Sequence, residues 1–161
     1  MKSKSTAKRR DFADSLVVGW REWVSLPDLG ISMIKAKVDT GARTSAIHAY
    51  DIESHRLRGR DVLTFKVHPL QRNQKKVVVC TAAVVDERMI RSSSGHTSLR
   101  PVIETTIEIG PLSWQIELTL TNRDEMGFRM LLGRQAVRDH LLVHAGKSFL
   151  MSSNPQPRRS S

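Results

Sequence analysis

The chain alternates between apolar and polar residues along most of its length, with the period of two that is typical of β-strands with one buried face. In segment 31–38 the apolar side chains share one predicted face, while Lys35, Lys37 and the following Asp39 share the other. Further strands are predicted over 16–20, 22–26, 62–67, 76–85, 102–109, 114–120, 141–143 and 148–151. The chain is therefore expected to be all-β, with short strands in a closed or sandwiched arrangement.

Turn-forming residues separate these strands and define one hairpin and one exposed tip. Gly110 and Pro111 predict a tight turn, so the strands before and after it are expected to pair as a hairpin. The polar stretch 91–98, which contains Gly95, predicts an exposed tip between two extended arms. One short helix is predicted over 135–140.

The two ends of the chain differ in composition from its middle. Residues 1–13 and 152–161 are polar and without periodicity, so they are predicted to be disordered tails around one domain at 14–151. The net charge is +10, but seven cations lie in the first ten and last four residues, which leaves +3 for the rest. Basic tails can hold a nucleic acid loosely by neutralising phosphates, or can simply be solvated ends.

Neither a membrane span nor a secretory signal is expected. No run of about eighteen apolar residues occurs, and the N-terminus lacks an apolar stretch. The single cysteine, Cys80, cannot form an internal disulfide and lies in an apolar run, where a buried small hydrophobe is its expected role. These features predict a cytoplasmic protein.

The most informative feature of the chain is the tripeptide Asp39-Thr40-Gly41, which follows the predicted strand 31–38. It places a carboxylate at the end of an apolar strand, in a turn where glycine allows close backbone approach. Asp and Gly are ordinary turn residues, so the tripeptide alone is equally compatible with a plain turn. About ninety residues later comes a second motif, Leu131-Leu132-Gly133-Arg134, followed by the predicted helix. In this order the two motifs suggest half of an aspartic peptidase.

Peptide hydrolysis by this chemistry needs two carboxyl groups. One is ionised and takes a proton from water, and the other is protonated and donates to the scissile carbonyl. Two carboxyls about 3 Å apart supply both states, because like charges that close cannot both ionise. Since the chain has one Asp-Thr-Gly, a symmetric homodimer would have to bring Asp39 and its twofold mate together. Thr40 is then expected to hydrogen-bond within the turn and between chains, and Gly41 to permit close approach.

Four blocks of sequence, in order, resemble a known family. They are VGWREWVSLP at 18–27, AKVDTGARTSA at 36–46, RPVI at 100–103 and MLLGR at 130–134. On these blocks the chain resembles the RimB-like bacterial retropepsin-like aspartic peptidases, which accompany the glutamate ligase RimK and are also labelled ATP-dependent zinc proteases. The match covers 18–149, most of the chain between the predicted tails.

The resemblance implies a retropepsin-like acid-protease half-barrel that is homodimeric, with its active site built on Asp39. It also implies a flap over about 88–100, and support beneath the catalytic turn from Leu132 and Gly133. For such proteins it implies trimming of the polyglutamate tails that a RimK-type ligase adds to a ribosomal protein. The expected partners are thus a second copy, a glutamate-rich peptide, a ribosomal protein and the ligase.

A polyglutamate chain is densely anionic, so its groove should carry cations. We expect Arg43, Lys37, Arg100 and Arg134 to bind substrate carboxylates, in falling order, and His96 on the flap to meet a glutamate side chain. Lys35 and Arg91 are further candidates. For each of these residues the alternative is a solvated surface charge.

Neither a metal nor another cofactor is expected from the residues. His140 and His144 have the spacing of a zinc-binding helix but lack the glutamate between them, and they straddle a predicted helix end and a strand. Nothing resembles a phosphate-cradling loop. Two functions remain open: an aspartic peptidase acting on glutamate chains, and a non-catalytic module of the same fold that binds acidic peptides, the ligase or the ribosome. A third reading is nucleic-acid binding through the basic tails.

Overall fold

Strands make up most of the chain in the computed structural model, which describes residues 16–70, 75–91, 94–122 and 127–151. The predicted tails 1–13 and 152–161 and the polar loop 71–74 lie outside these residues. The strands are β1 Leu16–Gly19, β2 Arg21–Leu26, β3 Ile31–Asp39, β4 Ser45–His48, β5 Tyr50–Leu57, β6 Arg60–Val67, β7 Val78–Arg91, β8 Thr97–Ile109, β9 Leu112–Thr121, β10 Met130–Gly133 and β11 Leu141–His144. The helix α1 spans Arg134–Val137, and a 3-10 turn spans Pro27–Leu29.

Nine of the strands form one sheet in the order β2-β3-β10-β4-β9-β8-β7-β6-β5. The sheet curls back on itself, because β2 at its edge also pairs with β8 through Ser25 and Glu108. β1 and β11 form a separate parallel pair. The all-β prediction is confirmed, and the return of β2 to β8 partly closes the sheet, in keeping with the half-barrel that the family resemblance implied.

The core fills the inside of this curled sheet. On β3 the alternating residues Ile34, Ala36 and Val38 are buried, as the period of two predicted, and Ile103 and Ile107 of β8 meet the same cluster. Each fully buried side chain of this size contributes about 1.5–3 kcal/mol relative to exposure. Burial of the apolar face fixes the register of β3, and so determines which way the end of that strand points.

The hairpin prediction around Gly110 is confirmed, since β8 and β9 pair antiparallel up to Ile109 and Leu112. The helix prediction was too long: α1 ends at Val137, because Arg138 leaves the helical conformation with a ψ of 133°, and Asp139 then has a positive φ of 66°. β7 and β8 form a second, longer hairpin, with Arg91 paired to Thr97 near its tip. This hairpin contains the predicted flap, apart from residues 92–93, which lie outside the described residues.

The prediction of a strand over 148–151 was wrong, because a buried carboxylate takes the hydrogen bonds that a strand would give to a sheet. Glu22 is fully buried, and its Oε2 accepts from the backbone N–H groups of Gly19 and Leu150, each at 2.7 Å. Its Oε1 accepts from Met151 at 3.1 Å. Phe149 has a left-handed φ of 54°, which also interrupts an extended run.

Cys80 is buried, as predicted, and burial raises the pKa of its thiol to about 11, so it stays protonated at neutral pH. Within the described ranges, none of the helices has the length and apolar character needed to cross a bilayer.

Candidate active site

Asp39 is the last residue of β3, and a local turn fixes its carboxylate. Its Oδ1 accepts a hydrogen bond from the N–H of Gly41 at 3.0 Å, and its carbonyl accepts one from Ala42 at 3.2 Å. A side-chain oxygen that bonds the backbone two residues on is the usual way in which an aspartate shapes a turn. The side chain is half-buried. The turn therefore presents an oriented carboxylate at the edge of the core.

The strand β10 supports this turn from the inside. Leu132 and Gly133 pair in parallel with Val38 and Asp39, and Leu132 is fully buried. The approach at Gly133 is so close that a Cβ there would lie 2.6 Å from the carbonyl carbon of Thr44. Only glycine fits this position, which gives a physical reason for the Leu-Gly pair in the motif.

Backbone hydrogen bonds then hold the following residues against the start of α1. The N–H of Arg134 donates to Ala42 at 2.7 Å, and that of Gln135 donates to the carbonyl of Arg43 at 3.1 Å. The N–H of Gly133 donates to the buried Oγ of Ser45 at 3.0 Å. Sequence reasoning did not assign Ser45 a role. The available signal was its place inside the block 36–46.

A cleft of about 590 Å³ lies between the turn and β7. β7 is the first arm of the β7–β8 hairpin, which is called the flap hairpin below. Three arginines, Arg43, Arg88 and Arg91, and one carboxylate, Glu117, contribute to its walls. The other lining residues are Gly41, Ala42, Thr44, Met89, Ile90 and Gln135. The cleft therefore combines an excess of positive charge with direct access to the backbone of the Asp-Thr-Gly turn.

Of the predicted substrate-binding cations, the structure brings Arg43 and Arg91 together in this cleft. Arg134 lies beside the turn instead, where its Nη1 donates to the carbonyl of Thr40 at 3.2 Å. Lys37 is exposed on β3, two residues before Asp39. Lys35 lies over aromatic rings, with its Nζ 5.5 Å from the ring centroid of Phe128.

The remaining two candidates lie on the flap hairpin, away from the lining of the cleft. The Nε of Arg100 donates to the Oγ of Ser98 at 3.1 Å, on the second arm. His96 is exposed near the tip, next to Gly95. The predicted contacts of Arg100 and His96 with substrate stay predictions.

Arg88 is the cation that sequence reasoning missed. Its Nη1 and Nη2 donate to Oε1 and Oε2 of Glu117 at 2.8 and 3.0 Å, and its Nε donates to Oδ2 of Asp86 at 2.7 Å. The bonds to Glu117, and then that to Asp86, raise the pKa of Arg88 above its ordinary value. The bond from Arg88 is also the main cause that lowers the pKa of Asp86.

A second cavity of about 450 Å³ adjoins the first along Thr44, Glu117 and Gln135. At its far side the rings of Trp114 and His140 stack with their centroids 4.5 Å apart. His144 lies on a different element, where its Nδ1 accepts from the N–H of Gly146 at 3.2 Å. The two histidines are thus engaged separately, and in the described part of the chain no three His, Cys, Asp or Glu side chains gather as metal ligands do.

An Asp-Thr-Gly turn at a strand end, supported from within by a Leu-Gly pair and faced by a β-hairpin, is the arrangement expected of a retropepsin-like fold. The comparison with family models agrees. Residues 17–154 match the model of the RimB-like family, described as "Retropepsin-like aspartic endopeptidase RimB", and the chain belongs to that family.

The curated relatives carry another name. A probable alpha-L-glutamate ligase of Shewanella pealeana is 45% identical over 138 residues, 86% of this chain but 30% of the relative. Another, from Desulfotalea psychrophila, is 49% identical over 127 residues, 79% of this chain and 27% of the relative. The chain therefore spans less than a third of the length of these relatives.

A solved structure resembles the fold as a whole. It is that of a Legionella pneumophila protein of unknown function, which is 26% identical to this chain with a TM-score of 0.71. The match covers 84% of this chain and 98% of that one. The similarity supports the architecture described above.

Proposed function

We propose that this protein is an aspartic peptidase that hydrolyses glutamyl peptide bonds as a homodimer in the cytoplasm. The observation that carries the proposal is the position of the Asp39 turn beside a cleft lined by Arg43, Arg88 and Arg91. The turn supplies the catalytic carboxylate, and the arginines supply the charge that a glutamate chain requires.

The reaction needs the Asp39 side chains of two copies about 3 Å apart across a twofold axis, sharing one proton. The ionised carboxylate takes a proton from water, and the water oxygen bonds to the scissile carbonyl carbon. The other Asp39 donates its proton to the carbonyl oxygen. When the C–N bond breaks, the leaving nitrogen takes one proton from the pair. An ionised Asp39 takes a proton back from a hydroxyl of the tetrahedral intermediate as its C=O bond re-forms, so the pair again holds one shared proton. Thr40 and Gly41 keep the two turns in register.

The proposed substrate class is based on the positive charge of the cleft. Each glutamate of a polyglutamate tail brings one carboxylate, and an arginine guanidinium can bind a carboxylate with two parallel hydrogen bonds. The names of the curated relatives support the same chemistry, since they are probable glutamate ligases. We propose that the enzyme trims polyglutamate tails that such a ligase adds to a ribosomal protein, and that the ligase is a functional partner.

A second function on the same fold is a non-catalytic module that binds acidic peptides for a ligase or a ribosome. The observation that favours it is the size of the curated relatives: this chain corresponds to under a third of proteins named as ligases. A module of this kind needs the cationic cleft but not a paired Asp39.

One experiment separates the two functions. The purified protein is incubated with an oligo-α-glutamate peptide, and products are followed by mass spectrometry for the wild type and for Asp39→Asn. The peptidase requires turnover that is lost in Asp39→Asn, with binding of the peptide retained, because Asn keeps an oxygen that can accept from Gly41. Binding without turnover in both proteins would establish the module, and a monomer in analytical ultracentrifugation would contradict the dimeric mechanism.

A further inference from the structure

A two-bond ion pair at the cleft joins Arg88 to Glu117, and neither side chain takes part in the proton transfers of the proposed reaction. Both Nη atoms of Arg88 bind both carboxylate oxygens of Glu117, at 2.8 and 3.0 Å. This is the geometry with which an arginine recognises a free carboxylate. The pair lines the same cleft as Arg43 and Arg91. The side chain of Glu117 therefore already occupies the guanidinium group of Arg88, in a cleft that is proposed to bind glutamate chains.

We propose that Arg88 is a specificity-determining residue for the substrate, and that Glu117 is an internal competitor which a substrate glutamate displaces. The inference rests on the proposed function for its choice of substrate. It goes beyond that function by assigning one glutamate-binding subsite to Arg88 and a resting occupant to that subsite.

The surroundings of Arg88 suit an exchange of partners. Its Nε remains bound to Asp86 at 2.7 Å, and Asp86 is itself held by the N–H of Glu87 at 2.8 Å. The guanidinium thus keeps its orientation when the Nη atoms change partner. The side chains of Arg88 and Glu117 are 33% and 37% exposed, so water and an incoming carboxylate can reach both. An ion pair this exposed is weak enough to be exchanged.

The position of the pair also connects the subsite with the flap. Arg88 lies on β7 opposite Arg100, whereas Glu117 lies on β9 opposite Glu104, with β8 between them. The contact therefore joins the first arm of the hairpin to the wall of the cleft across an intervening strand. Displacement of Glu117 would break this side-chain contact between β7 and β9, while the backbone pairing of β7 with β8 stays in place.

The test measures binding in the Asp39→Asn background, so that it does not depend on turnover. Fluorescence anisotropy compares a labelled oligo-α-glutamate peptide with an oligoglutamine peptide of equal length. Glu117→Gln should tighten binding of the glutamate peptide roughly two- to fivefold, because it removes a weak competing ion pair. Arg88→Met should weaken binding of that peptide about tenfold or more, and should leave the oligoglutamine peptide unaffected.

Glu104→Gln is the matched control. Glu104 is exposed and directly paired with Glu117, so its substitution removes the same charge from the neighbouring position without removing a partner of Arg88. A clearly larger gain for Glu117→Gln than for Glu104→Gln supports the inference. Equal gains would mean that only net charge matters, and they would overturn it.

Two other results would also overturn the inference. If the ion pair only stabilises the fold, Glu117→Gln and Arg88→Met should both lower the melting temperature, and both should weaken binding of the two peptides to the same extent. If the Asp39→Asn protein binds no glutamate peptide at all, the proposed subsite does not exist. By contrast, binding with the expected order of variants, but without turnover by the wild type, would leave the subsite standing and reject the peptidase.

Discussion

Asp39 and Gly133 are direct neighbours across the parallel strands β3 and β10. One residue carries the candidate catalytic carboxylate, and the other allows the backbone of 43–44 to pass at van der Waals distance. Because the two are paired in register, any shift of β10 is transmitted to the end of β3. The orientation of the carboxylate thus depends on a residue about ninety positions away in the sequence.

Replacing Gly133 with Ala should destabilise the fold by about 3 kcal/mol, the upper part of the range for overpacking a rigid core. The new Cβ would lie 2.6 Å from a backbone carbon of Thr44, which cannot rotate away as a side chain could. Gly127→Ala is the control, because a Cβ there meets nothing within 4 Å. Urea denaturation measures both variants, and equal midpoints would contradict the close packing.

The hydroxyl of Ser45 offers a second, independent test of the support beneath the turn. Ser45→Ala should cost about 1–3 kcal/mol, because it leaves the buried N–H of Gly133 without its acceptor. Ser113→Ala, at an exposed position of β9, is expected to be nearly neutral. If the function is as proposed, Ser45→Ala should also lower kcat more than it raises KM. A variant as stable as the wild type would show that the hydrogen bond is dispensable.

The sequence predicted β3, which buries one face, but missed β4, which buries both faces, and β5, which buries neither. β3 alternates between buried and exposed residues, and its register placed Asp39 correctly at its end. β4 is buried at all four positions, and β5 is exposed at nearly every one, so neither carries a period of two. Their place in the sheet is decided by pairing with distant strands, which a local pattern does not contain.

The residues of the candidate site also divide into those that the sequence predicted and those that it missed. The Asp-Thr-Gly turn and Gly133 were predictable because each is a local motif with a backbone requirement. Arg88 was not, because Asp86-Glu87-Arg88 reads as a solvated run of mixed charge. Its carboxylate partner lies 29 residues away, on the far side of an intervening strand. The two come together because β7 and β9 both pair with β8, which no local pattern in the sequence shows.

Acid should weaken the attachment of the 3-10 turn to β8. The hydroxyl and N–H of Thr106 donate to Oδ2 of Asp28 at 2.7 and 3.1 Å, and they hold the pKa of Asp28 below its ordinary 3.8. A carboxylate whose folded-state pKa is lowered stabilises the fold above its unfolded pKa, and this contribution is lost as the pH falls through the folded value. Denaturation midpoints of the wild type and Asp28→Asn should therefore differ at pH 7, and the difference should shrink as the pH falls below the ordinary pKa of 3.8 and through the lowered folded-state value.

Asp61→Asn serves as the comparison for that experiment. The side chain of Asp61 is 66% exposed, and among the described residues it forms an ion pair with Arg56 at 3.6 Å. Its removal should change the midpoint at pH 7 less than the removal of the Asp28 carboxylate does, because exposed ion pairs contribute little. A pH dependence in Asp28→Asn identical to that of the wild type would show that the Asp28–Thr106 contact does not contribute.

Charge reversal at Arg43 tests the cationic cleft within the proposed function. Arg43 lines the cleft and is exposed, so Arg43→Glu should leave the melting temperature nearly unchanged. It should lower kcat/KM for an oligo-α-glutamate peptide by roughly tenfold or more, mainly through KM, because it replaces attraction of the substrate with repulsion. The loss should shrink as salt is added, since exposed charges are screened.

Charge reversal at two other arginines, Arg60 and Arg100, tests which part of the surface attracts the substrate. Arg60→Glu, at an exposed position of β6, makes the same change of charge outside the lining of the cleft, and should alter kcat/KM only slightly. Arg100→Glu should fall between the two, because Arg100 lies on the flap hairpin but not among the residues that line the cleft. Equal losses for Arg43 and Arg60 would mean that the overall charge of the protein, not the cleft, attracts the substrate.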